Sequence, residues 1–117
     1  MKKLIYLASP YSHPDSEIRE LRFKAACYAA ANLILQGYQV FSPIAHSHPI
    51  ATLIGPDAEL DADLWMDFDF RMMRSCDVLV ILCVDGWATS QGIAKEMVFA
   101  VANNIPIKYM SAGGEWL

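Results

Sequence analysis

The chain lacks a basic excess: nine Lys and Arg stand against thirteen Asp and Glu, a net charge of −4. That balance argues against a binder of polymeric nucleic acid, which needs a basic stripe to displace counterions. A single nucleotide is not excluded, because helix amides and hydroxyls can hold one phosphate. No apolar run approaches the ~18 residues of a membrane span, so no membrane partner is expected. Cysteine is scarce. Cys27, Cys76 and Cys83 show no metal-ligand spacing and lie in apolar settings, which reads as reduced, buried thiols in a cytoplasmic protein. Repeats, linkers and low-complexity segments are missing too. The opening Met1-Lys2-Lys3-Leu4-Ile5-Tyr6 begins like a secretion signal, but Ser9-Pro10-Tyr11-Ser12-His13 breaks it too early, and a first strand is the better reading.

What the chain does have is apolar material, 55% of its 117 residues. One domain spanning residues 1–117 is expected, with the apolar surplus divided between a core and a subunit interface. Leu4 to Ala8 reads as a strand. Ser12-His13-Pro14-Asp15 reads as a capping box for a helix carrying Ile18, Leu21, Ala25, Tyr28, Ala29 and Leu33, closed by Gly37. Tyr38 to Ser42 is a second strand and Ile44 to Ala58 a long Pro/Gly/His loop. Asp61 to Ser75 is a helix, Asp77 to Val84 a strand buried on both faces, Ser90 to Asn103 a helix, and Ile105 to Tyr109 a last strand.

Strands alternating with helices give an α/β fold. The expectation is a single-domain, flavodoxin- or Rossmann-like three-layer sandwich with a parallel sheet of four or five strands in order 2-1-3-4. The ends of the first and third strands then lie side by side at the switch point, where such folds bind ligands. That places Tyr6, Ser9 and Tyr11 on one side and Asp85, Ser90 and Glu96 on the other. Ser90-Gln91-Gly92-Ile93-Ala94-Lys95-Glu96 is a small-residue helix start with a carboxylate less than two turns in, suited to acting on a small anionic or sugar-like ligand.

Asp67 and Asp69 sit in an otherwise apolar helix, where a carboxylate must be exposed, paired or functional. Their spacing lets at most one enter a shared site. His46 and His48 form His-x-His without a carboxylate or cysteine at a familiar spacing, so substrate contact is favoured over a metal, and no metal is assigned. Trp65, Trp87 and Trp116 are of a type able to stack on a base, although core or interface packing is the commoner use. The Trp65, Phe68, Met72 and Met73 face exceeds what a small core hides, and a homodimer or larger homo-oligomer is expected.

Ile5-Tyr6-Leu7-Ala8-Ser9, Asp69 eight residues before Asp77, and Ser90-x-Gly92-x-x-x-Glu96 together resemble the nucleoside 2-deoxyribosyltransferase-like superfamily. Ser9-Pro10-Tyr11-Ser12-His13, Phe41-Ser42-Pro43 with His46 and His48, and Gly86-Trp87 narrow the resemblance to a family of short bacterial and phage proteins within it. The resemblance implies Glu96 as nucleophile on the anomeric carbon, Asp69 as acid/base and Tyr6 as orienter of the glutamate. It also implies a substrate shell that takes in Ser9, Tyr11, Ser90, Gly92, His46, His48 and Trp87. Relatives that hydrolyse deoxynucleoside 5′-monophosphates carry a serine at the position of Ser90, whereas the transferases carry an acid there. The implied activity is therefore an N-glycosidase on a 2′-deoxynucleoside 5′-monophosphate, with no cofactor. One departure is that the hydrolases' phosphate-binding serine beyond the first strand falls at Pro10, so Ser9 or Ser12 would take over. Base exchange between deoxynucleosides, and a non-catalytic nucleotide sensor, are the alternatives. In each case the ligand is a small-molecule nucleotide or nucleoside.

Overall fold

Side chains alternate between the two faces of a strand, and in this molecule that parity decides which helix meets which residue. The computed structural model describes residues 2–117. Strand β1 is Leu4–Ala8, β2 Gln39–Phe41, β3 Val78–Cys83 and β4 Ile107–Ser111. All pairings are parallel, in the order β2-β1-β3-β4. Tyr6 stands opposite Leu79, and Ala8 opposite Ile81.

On one face, Ile5, Leu7, Val80 and Leu82 pack under Ala29 and Leu33 of helix α1 (Ser16–Leu35). On the other, Tyr6, Ala8, Leu79 and Ile81 meet Met73 of helix α4 (Ala62–Met73) and Ile93 and Ala100 of helix α5 (Gln91–Ala102). β1 and β3 are covered on both sides, as their unbroken apolar runs require. Each fully buried Leu or Ile contributes roughly 2 kcal/mol from the area it removes from water. The α/β sandwich and its 2-1-3-4 order thus match the expectation from sequence.

The segment expected to be a loop, Ile44 to Ala58, is instead two helices: α2 (Pro43–Ile54) and α3 (Pro56–Leu60). Its prolines do not break structure; Pro56 starts α3, as Pro43 just ahead of the segment starts α2. Ser42 caps α2 by accepting from the Ala45 N–H at 3.2 Å, and Pro43 and Pro56 occupy first-turn positions, where the missing N–H costs nothing. Pro49, inside α2, leaves only the Ala45 carbonyl without its helical donor.

Helix α1 begins later than expected. Asp15 is its N-cap, accepting from the Glu17 N–H at 2.9 Å, so Pro14 precedes the helix and the Ser12 capping box does not form. Leu21 and Tyr28, expected on its buried stripe, are exposed, while Arg19, Ala26, Ala29 and Leu33 are buried. β4 runs two residues further along than the expected Ile105–Tyr109. The apolar ring of α4 is divided: Met73 is in the core, Trp65 is half-buried with its indole N–H donating to the Ala58 carbonyl, and Phe68 is exposed.

Candidate active site

The switch point between β1 and β3 opens into a cleft of about 540 Å³. Its floor is set by strand parity. Tyr6 faces α4 and α5, and its hydroxyl donates to Glu96 Oε2 of α5 in a short hydrogen bond. Ser90 caps α5 by accepting from the Ile93 N–H at 3.2 Å, which fixes where the helix starts. Glu96 follows on the inward side, only 6% exposed. Asp69 of α4 is 7% exposed, and its Oδ1 has no hydrogen-bond partner, whereas Asp67 points into solvent. The two carboxyls, Ser9, Tyr11, Ser90 and Gly92 all line the cleft. Tyr6 lies beneath it and reaches it through Glu96.

The electrostatics follow from burial. Desolvation raises the Asp69 carboxyl to about 7. Desolvation also raises Glu96, to about 8, assisted by the Asp69 charge and opposed by the Tyr6 hydrogen bond. The Tyr6 donor favours the anion on Glu96, whereas no donor reaches Asp69 Oδ1 to favour its anion. Burial first, then the Glu96 and Asp69 charges, drive the Tyr6 phenol far up, so it keeps its proton. The arrangement is chemically two buried carboxyl groups, both held above the ordinary carboxylate range, and a fixed donor to one of them at the bottom of a water-accessible cleft.

Three residues of the expected substrate shell do not line the cleft. His46 is exposed and stacks on Phe68 with centroids 5.2 Å apart. Trp87 packs edge-on against Tyr109 at 5.8 Å. His48 is buried behind the wall, its Nδ1 2.6 Å from the Tyr11 hydroxyl and its Nε2 2.6 Å from Glu20 Oε2. Other residues enter unforeseen. Arg22 lines the cleft and donates to the Ser12 carbonyl at 2.9 Å. Its guanidinium lies where a Cβ on Gly86 would fall, 2.4 Å from that point, and Gly86 has φ +92°, so only glycine fits. Lys95, Trp65 and Met66 also line the cleft, as does Glu59, which is paired with Arg19 at 3.0 Å. Arg22 lies near the start of the helix after β1, a position from which a cation at the cleft was readable.

The family model described as a domain of unknown function, DUF1937, matches residues 3–112. The chain belongs to the DUF1937 family. The match takes in every element that builds the cleft, so the Tyr6–Glu96 pair and Asp69 fall inside the DUF1937 domain. No protein of curated function matches the sequence. Among solved structures, this DUF1937 chain is similar to a 2-deoxyribosyltransferase from the psychrotolerant bacterium Bacillus psychrosaccharolyticus. The TM-score is 0.60 at 21% identity, over 92% of this chain and 72% of that one. The likeness shows that the DUF1937 domain has the deoxyribosyltransferase fold.

Proposed function

We propose that this protein is an N-glycosidase that hydrolyses the base–sugar bond of a 2′-deoxynucleoside 5′-monophosphate. The observation that carries the reading is the Tyr6-held Glu96 facing the cleft together with a second buried, partnerless carboxyl, Asp69. The glycosidic C1′–N bond breaks with its electron pair going to the base, which takes the proton of the Asp69 carboxyl. The Glu96 carboxylate forms a bond to C1′ as positive charge develops there. Water then attacks C1′ and gives its proton to the Asp69 carboxylate, while the C1′–O bond to Glu96 breaks and frees the carboxylate. No atom beyond substrate, water and these side chains is needed.

Three observations support a phosphate over a free 5′-hydroxyl. Ser90 stands where the resemblance puts an acid in transferases. Ser9 lines the cleft with a buried, partnerless hydroxyl, in keeping with its replacing the serine lost at Pro10. Arg22 brings a cation to the same cleft. The reading includes self-association through the exposed apolar residues of α4 and α5, among them Leu64, Phe68, Val98 and Val101. A monomer by light scattering at working concentration contradicts that part.

The test is chromatography after incubating the protein with nucleosides, 2′-deoxynucleosides and their 5′-monophosphates. Free base from a deoxynucleoside monophosphate alone is the expected result. A new nucleoside formed only when a second base is added would replace hydrolysis by base exchange. Binding without cleavage across the panel would replace both by a sensor.

A further inference from the structure

Behind the cleft wall, outside the carboxyl pair, three side chains form a line: Tyr11 Oη to His48 Nδ1 at 2.6 Å, and His48 Nε2 to Glu20 Oε2 at 2.6 Å. Only Tyr11 reaches the cleft. The His48 side chain is 9% exposed and sits against the Phe23 ring with centroids 4.5 Å apart, so it has one orientation. Besides its own members, the line is faced by Arg19 from α1 and Glu59 from α3.

A carboxylate can only accept, so of the two neutral imidazole tautomers Glu20 selects the one with its proton on Nε2. In that tautomer Nδ1 is an acceptor, and the Tyr11 O–H points at it. The Arg19 guanidinium beside the phenol acts in the same sense, because a cation faces an oxygen lone pair and not an O–H. Tyr11 therefore has no proton to offer the cleft, only lone pairs.

We propose that Tyr11 is a fixed hydrogen-bond acceptor in the cleft that selects ligands carrying a donor, a sugar hydroxyl or a base N–H, with His48 and Glu20 as positioning residues. The inference deepens the reading of the cleft as a nucleotide site. The opposite polarity, an imidazolium donating to Tyr11, would turn the phenol O–H toward the ligand and select acceptors.

The first arm of the test needs no ligand. In histidine-labelled protein, nitrogen NMR at neutral pH is expected to show His48 with Nε2 protonated and Nδ1 bare, the signals being identified by their loss in His48→Gln. A protonated Nδ1 overturns the proposal. In the second arm, affinities for deoxynucleoside monophosphates are compared between Tyr11→Phe and the parent chain, both in a Glu96→Gln background that stops turnover. The expected loss is about tenfold for a ligand with the donor, and none for its partner without it. A 3′-deoxy analogue tests the sugar hydroxyl, and a base lacking its exocyclic amine tests the base. Equal loss for every ligand overturns the proposal. Failure of all nucleotides to bind would sink the nucleotide reading, and the NMR arm would still decide the polarity of Tyr11.

Discussion

The floor and the wall of the cleft are built by different physics. The floor is made of β1, α4 and α5, rigid elements that bury Tyr6, Asp69 and Glu96 to 7% exposure or less. It leaves one carboxylate oxygen without a partner. The wall is made of α2, α3 and the start of α1, and most of its polar groups are satisfied by one another: Tyr11 by His48, His48 by Glu20, Glu59 by Arg19 and Thr52, with the buried Arg19 Nε left without a partner. Unmet polar groups are costly where water is excluded, so natural structures retain few of them. Under the proposed function, reactivity belongs to the floor and ligand selection to the wall.

That division breaks first, if it is wrong, at the carboxyls. Glu96→Gln is expected to lower base release by about 10⁴-fold or more, which rapid-quench chromatography would read, with the folded spectrum unchanged. Asp69→Asn is expected to cost about 10²–10⁴-fold, least for substrates whose base leaves without protonation, and a leaving-group series checks this. Tyr6→Phe keeps the ring in the core but removes the donor to Glu96. A loss of roughly 10- to 100-fold in kcat, with KM little changed, is expected from one hydrogen bond to a charged group.

The smallest effect is on stability and has the opposite sign. Glu96 holds its proton more tightly folded than unfolded, to about 8 against the ordinary carboxylate value. Its burial therefore costs nothing below the unfolded pKa of ~4.3, and the cost grows as pH rises toward the folded value. Glu96→Gln is expected to match the parent chain in thermal midpoint near pH 4. By pH 8 it should exceed it by several degrees. A variant less stable at pH 8 would show that Glu96 is structural and remove the contrast between floor and wall.

The same two regions differ in how much of them was legible in the sequence. Asp77 to Val84 read as a strand buried on both faces and Ser90 as a cap of the helix after it, steps that used neighbours in sequence and a periodicity. The switch point grouped Tyr6 with Glu96, the family resemblance added Asp69, and strand parity in the structure puts Tyr6 on their face. The wall offered no such rule. Pro43, Pro49, Gly55 and Pro56 carry the composition of a loop, yet Pro43 and Pro56 sit at first turns where proline is favoured, and this inverted the reading of the whole segment. With α2 unforeseen, His48 was assigned to the ligand. In the structure it meets Tyr11 and Glu20, 37 and 28 residues away, and pairings of that range leave no periodic trace. Arg19 escaped for a related reason: a buried arginine is intelligible only once Glu59 is seen across from it. Leu21 and Tyr28 misled in the other direction, since apolar residues at helical spacing lie outside when small alanines, Ala26 and Ala29, make the contact.

The most direct test of Glu96 as the group acting on C1′ is to incubate Glu96→Ala with the deoxynucleoside monophosphate, with and without sodium azide. The expected result is no base release without azide. With azide, base is released and a glycosyl azide forms, because a small anion takes the space and the role of the missing carboxylate. Base release by Glu96→Ala at the parent rate without azide would contradict it and move the chemistry away from the Tyr6–Glu96 pair.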